Sequence, residues 1–302
     1  MDFELSGEAE ELVTLTRDLA ASGHSLWPAL AEAGVLAAAL PKQAGGEGYG
    51  LSEQAAILSE LGRAAATVPY LTSIVAGAST LARFDPSFVF VGQVIAVSHN
   101  DQVHGITPSF SAVLVPSSTG VFLLDSAIVD PQDVAGGPGT GLLRSPLPET
   151  PFLTDPAAAP WLRTRLTVGA AAYQLGVVER ALSMTAEYAR TRVQFGRPIG
   201  SFQAVSQRLA DAYIDVEALR VALWQAVSLL ESDQPAAAAV ATAGFWAAEA
   251  GHRVLHTAAH VHGGVGLDLE YPLHRYFLAA KYHEFLLGGA TTQLLALAKE
   301  LG

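Results

Sequence analysis

Apolar positions recur at helical spacing near the start of the chain, in SGEAEELVTLTRDLAAS and again in SEQAAILSELGRAA, and the first has an acidic opening turn. Between them, LPKQAGGEGYGLS is rich in glycine and reads as a turn-rich connector; no GK[ST] ending follows that would make it a phosphate loop. The texture then changes. FVFVGQVIAV and SAVLVPSSTGVFLLD are short, rich in valine and phenylalanine, and interrupted by turn residues, which predicts strands. DPQDVAGGPGTGLLRSPLPETPFL, with its prolines and glycines, reads as loop, so the β part amounts to one small sheet. From Trp161 onward, long proline-poor segments predict helices: LTVGAAAYQLGVVERALSMTAEYARTR, then QAVSQRLADAYIDVEALRVALWQAVSLLES after a break at FGRPIGSF. PAAAAVATAGFWAAEAGHRVLHTAAH is a third, and RYFLAAKYHEFLLGGATTQLLALAKEL supplies one or two more. Long helices with short connections point to an antiparallel four-helix bundle. The expected organisation is therefore mainly α: a helical domain over residues 1–85, a reduced β domain over 86–157 and a helical bundle over 158–302.

Composition narrows the chemistry. Half of the 302 residues are hydrophobic, enough for a substantial core. A formal charge of −12 argues against nucleic acid as a partner, since phosphate neutralisation needs surplus lysine and arginine. The absence of cysteine excludes disulfides, thiolate metal sites and cysteine nucleophiles. The acidic start MDFELSGEAEELV does not read as a signal peptide, and no run of about 18 strongly apolar residues reads as a membrane span. A cytoplasmic location without membrane partners is the expectation.

The most conspicuous local pattern is GHRVLHTAAHVHGGVG, residues 251–266. His252, His256 and His260 recur every fourth residue and would form one stripe on a helix, shared with Glu249. Glu249 and His252 make one E-x-x-H element of the kind used in di-iron and di-manganese bundles. Such bundles need a second copy, which is missing; Glu270 and His274 are spaced differently. No metal site is therefore expected, and the stripe reads as packing or as the approach to the double glycine.

Two longer motifs carry a resemblance. RTRVQFGRPIGSFQAVSQRLADAYIDVEALR holds R-x-x-F-G-x-x-I, a glutamine, L-A-D and an arginine. HVHGGVGLDLEYPLHRYFLAAKYHEFLLGGATTQLLALAK holds a GGxG segment, EYP and a terminal helix. Together, in this order, they resemble the acyl-CoA dehydrogenase family over most of residues 160–300. The resemblance implies FAD at a subunit interface, its ring held by the β domain of one subunit and its adenine and pyrophosphate end completed by a neighbour. The matching positions here are Arg192, Phe195, Gln203, His260, Gly263 and Gly264. Guanidinium pairs bidentately with a pyrophosphate, and glycines allow backbone N–H groups to approach it.

The family removes the α-proton of an acyl-CoA with a glutamate while the β-hydride moves to the flavin. The usual glutamate position is Leu287 here, before Gly288 and Gly289; the alternative on the first bundle helix is Leu166, with Arg165 beside it. Neither leucine can take a proton. Glu284, one turn before Leu287, is the weak candidate base, and Lys281 is its available partner. The β region also lacks the family's threonine-glutamate-proline and glycine-serine-aspartate stretches.

One explanation covers these departures. The chain resembles the shorter subunit of an α2β2 heterotetrameric acyl-CoA dehydrogenase of actinobacterial steroid side-chain degradation, in which the larger subunit supplies the base and the flavin cradle. Acyl-CoA is then the substrate of the complex and an electron-transfer flavoprotein its electron acceptor. The alternatives are a self-sufficient homotetramer using a displaced base such as Glu284, and a non-catalytic assembly subunit.

Overall fold

The computed structural model describes residues 7–99, 101–144 and 146–302. It begins with α1 (Gly7–Ala21), α2 (Leu26–Glu32) and the single turn α3 (Val35–Ala38). The glycine-rich connector, with one 3-10 turn at Lys42–Ala44, leads to α4 (Leu51–Arg63). A π-helical segment over Leu71–Ala78 runs directly into α5 (Ser79–Phe84). Ser73 on that segment ties it to the sheet, donating from Oγ to the Ile95 carbonyl (3.0 Å) and accepting from the Ile95 N–H (2.9 Å).

Six strands follow: β1 (Val94–His99), β2 (Gln102–Ile106), β3 (Phe110–Pro116), β4 (Val121–Asp125), β5 (Val129–Gln132) and β6 (Gly139–Leu143). They form one sheet in the order β4-β3-β1-β2-β6-β5, with β1 and β3 parallel and the other pairs antiparallel. Two expectations need correction here. FVFVG does not extend the first strand; Phe88 and Phe90 anchor a loop against the core instead, and strand pairing begins only at Val94. The Pro- and Gly-rich tail is not all loop, because DPQ lies in β5 and GTGLL in β6. Glycine at 139 and 141 is accepted because a Cβ at either would lie within 3 Å of the backbone oxygen of a neighbouring strand.

Alternation along the strands separates two cores. Ile95, Val97 and Leu114 face the helices and join the main core, whereas Ala96, Val103, Val113 and Val115 form a second cluster on the opposite face.

The C-terminal part is helical throughout. α6 (Ala158–Thr191) ends in a short hairpin, β7 (Val193–Gln194) with β8 (Arg197–Pro198), and a 3-10 turn at Ile199–Ser201 opens α7 (Gln203–Glu231). α8 (Ala237–His262) carries the histidine stripe, and α9 (Leu273–Leu286) is separated from α10 (Gly289–Leu301) at the two glycines, both with positive φ. The terminal segment is therefore two helices. The main core runs without interruption from α4 into α6. Their closest approach is set by Gly62 and Gly176: a Cβ at Gly62 would sit 2.0 Å from the Tyr173 carbonyl, and one at Gly176 1.8 Å from the Ser59 carbonyl. Beside this contact Glu60, 3% exposed, binds Arg17 (3.0 Å) and Arg63, and Arg63 reaches on to Glu179 of α6. Buried carboxylates are tolerated there because each meets a guanidinium.

Candidate functional site

The two motifs converge at one end of the helical region. Tyr188, one turn before the end of α6, stacks on His262, the last residue of α8, with ring centroids 4.4 Å apart. His262 is buried and fully engaged: Nδ1–H donates to the Ala258 carbonyl (2.9 Å), and Nε2 accepts from the Tyr271 hydroxyl (3.1 Å). Burial lowers its pKa, in keeping with this neutral tautomer.

Around this contact the six predicted cofactor residues lie at the surface. Arg192 caps α6 and is exposed, with its carbonyl taking the Ile199 N–H (2.8 Å). Phe195 occupies the tip of the β7–β8 hairpin, 93% exposed and at φ 53°, a left-handed conformation uncommon for a bulky residue. Its ring meets Phe202 edge-on at 6.1 Å, and Arg197 lies over Phe202 at 4.2 Å. Gln203 opens α7 and is exposed. His260 is also exposed and lines, with Arg208 of α7, a groove of about 610 Å³ between α7 and α8. Gly263 (φ 61°, ψ −139°) takes a backbone conformation reserved for glycine, and a Cβ on Gly263 or Gly264 would meet nothing within 4 Å. The ledge is open to another molecule.

Farther along α8 the stripe has a different use. The His252 and His256 rings lie 4.4 Å apart, tilted by 36°, and His256 meets Phe277 of α9 edge-on. Lys281 Nζ donates to His252 Nδ1 (2.8 Å) and to Glu284 (2.7 Å), and Glu284 lies 3.2 Å from His252. Glu249 is 3.8 Å from Arg253, which binds Asp215 at 3.0 Å. Among the described residues no group of three or more His, Asp or Glu is arranged to hold a metal. Glu284 is thus part of a lysine–histidine network on the α8-facing side of α9.

Leu287 and Leu166 are each 1% exposed and belong to the main core. Arg165 turns away from Leu166, lies over the Trp161 ring (4.4 Å) and donates to Gln54 (3.2 Å); burial lowers its pKa to about 10.

Sequence reasoning missed the seam between sheet and bundle. Tyr282 of α9 hydrogen-bonds through its hydroxyl to Nδ1 of His104 on β2 (3.0 Å), and its ring lies so close to Gly137 that a Cβ there would be 2.5 Å from it. His283 stacks on Tyr173 at 4.2 Å. These partners are separated by more than a hundred residues in the chain, and no local spacing announces them.

Residues 162–302 match the acyl-CoA dehydrogenase C-terminal domain and residues 8–84 the acyl-CoA dehydrogenase N-terminal domain. Acyl-CoA dehydrogenase FadE27 of Mycobacterium tuberculosis is 45% identical, covering 92% of this chain and 88% of the relative. The chain belongs to the acyl-CoA dehydrogenase family. Among solved structures, this chain is similar to the ChsE4-ChsE5 complex from Mycobacterium tuberculosis (TM-score 0.87, 41% identity, covering 100% of this chain and 99% of the other). It is also similar to a variant of the Tcur3481-Tcur3483 steroid ACAD (TM-score 0.83, 34% identity, 98% of each chain). The butyryl-CoA dehydrogenase of Megasphaera elsdenii, at 21% identity and TM-score 0.81, shares the fold. FAD is the cofactor of this family. No helix of the described residues is long and apolar enough to cross a membrane.

Proposed function

We propose that this acyl-CoA dehydrogenase is the shorter subunit of a heteromeric enzyme that desaturates acyl-CoA thioesters, working on the partner's flavin and not on one of its own. The single observation that carries the reading is the contrast between its two ends. At the α6–α8 end, Arg192, Phe195, Gln203, His260, Gly263 and Gly264 are exposed, which suits the adenine and pyrophosphate end of an FAD held by another chain. At the sheet–bundle seam, Tyr282 and His104 fill the interval, and the two base positions hold buried leucines.

In this arrangement Arg192 neutralises pyrophosphate charge, the Gly263–Gly264 ledge lets backbone approach it, and Phe195 offers an apolar face to the adenosine. FAD, when bound, supplies the acceptor for the β-hydride. The partner subunit supplies the carboxylate that takes the α-proton, because neither Leu287 nor Leu166 can. The similarity to the ChsE4-ChsE5 complex and to a steroid ACAD supports a heteromeric assembly and a bulky steroid side-chain CoA as substrate class; in this reading an electron-transfer flavoprotein takes the electrons. The division into residues 1–85, 86–157 and 158–302 belongs to the same reading, the last segment carrying the assembly and cofactor interface.

The deciding experiment is stoichiometric. Purified alone the chain should be colourless and inactive; co-purified with its larger partner, the complex should hold one FAD per heterodimer. A yellow, active protein from this chain alone would sink the proposal and favour a base such as Glu284.

A further inference from the structure

A cleft lies away from the cofactor end, between the ends of the strands and the second turn of α6. It encloses about 840 Å³ and is lined by Ser98 and His99 of β1, Val115 of β3, Leu142 and Leu143 of β6, and Arg163 of α6. That volume lies in the range of small-molecule sites. Its walls divide into an apolar part, the valine and leucines, and a polar part dominated by donors. Arg163 gives one N–H to the Pro116 carbonyl (3.0 Å), and among the described residues no carboxylate forms an ion pair with it. Asp101, the one acidic lining residue, is exposed. Burial of His99, and to a lesser extent the nearby Arg163 charge, lowers its pKa to about 4. The imidazole is therefore neutral at ordinary pH, with a donor and an acceptor to offer.

His104 and Thr140 face each other directly across β2 and β6, and both hold a buried polar atom without a partner, Nε2 and Oγ1. His104 pairs with Val97, two residues before His99, so all three polar side chains share the sheet face that looks towards the bundle. Of these three side chains only His99 lines the cavity.

We infer that this cavity is a binding site for an amphipathic carboxylate, its head on Arg163 beside His99 and its apolar body along Leu142, Leu143 and Val115. The site belongs to this chain alone and does not rest on the assembly reading, whose test is flavin stoichiometry.

Calorimetric titration of the purified chain tests it with decanoate as probe. Decanoate should bind saturably, once per copy of this chain. Decanol, with the same body and no charge, should bind at least about tenfold more weakly, as should decanoate to Arg163→Gln, because a charge-assisted contact is lost. Leu142→Trp, at a partly exposed position that tolerates size, should block binding while leaving the thermal melt unchanged. If Arg163→Gln disturbs folding through its bond to Pro116, Arg163→Lys keeps the charge and should retain binding. Unchanged affinity in Leu142→Trp, decanol binding as tightly as decanoate, or no saturable decanoate binding would each overturn the assignment. So would inorganic phosphate binding as tightly, which would mark a bare anion site.

Discussion

Tyr188 stacks on His262 at 4.4 Å, and this contact joins the end of the first bundle helix to the end of the third. It brings the R-x-x-F-G arginine and the double-glycine ledge, some seventy residues apart in sequence, to one end of the molecule. His262→Ala removes the stack and two hydrogen bonds of a buried ring. It should cost about 1–3 kcal/mol and lower the flavin retained by the purified complex. Thermal melts with parallel flavin absorbance would check both, and full flavin retention in a destabilised variant would separate the ledge from cofactor binding.

Arg192 is exposed, so Arg192→Ala should leave the melting temperature almost unchanged. Flavin affinity of the complex should nevertheless fall by about 10- to 100-fold, the loss of charge-assisted hydrogen bonds to a phosphate. Equilibrium dialysis of the flavin measures it, and Arg192→Lys should recover part of the affinity because it keeps the charge but not the bidentate geometry.

If the proposed reading holds, placing a carboxylate at position 287 should not give the chain catalysis of its own. Leu287 is 1% exposed within the main core, so Leu287→Glu buries a charge with no partner. A loss of about 3 kcal/mol or more is expected, relieved as acid neutralises the new group, and the isolated chain should remain inactive. Activity in that variant would show that its own seam can accept flavin and substrate.

Acid should weaken the seam before it affects the rest. His104 and His283 are buried, and burial lowers both pKa values from 6.5 to about 4. Because the folded state holds them neutral and the unfolded state does not, stability is complete above about pH 6.5. It falls as pH drops towards 4, at up to about 1.4 kcal/mol per pH unit for each ring. His283→Phe, which keeps the stack on Tyr173, should flatten that slope; denaturant midpoints across pH 4 to 7.5 would show it.

Helix content and order were legible because period and composition are local properties. Alanine-rich, proline-poor segments marked α6, α7 and α8, while the terminal segment read as one or two helices and the structure makes it two, α9 and α10. The reading was least accurate in the sheet. β6 carries glycine at 139 and 141, where neighbouring backbone leaves no room for a Cβ, and β5 carries a proline, so their pairing as strands was hidden by residues that locally read as loop. The linear motif alone marked Arg192, Phe195, Gln203, His260 and the glycines, since each belongs to a short stretch of fixed spacing.

What the chain's order of residues determined by itself is therefore the identity of its helices, the family it belongs to, and the presence of leucine at 287 and 166. Only the tertiary structure decided that those leucines are core, that Glu284 is held by Lys281 and His252, and that Tyr282 meets His104 across the seam. It also decided that His99 and Arg163 share a cavity. The physical reason is that packing and burial couple residues a hundred or more positions apart, and neither leaves a trace in local periodicity.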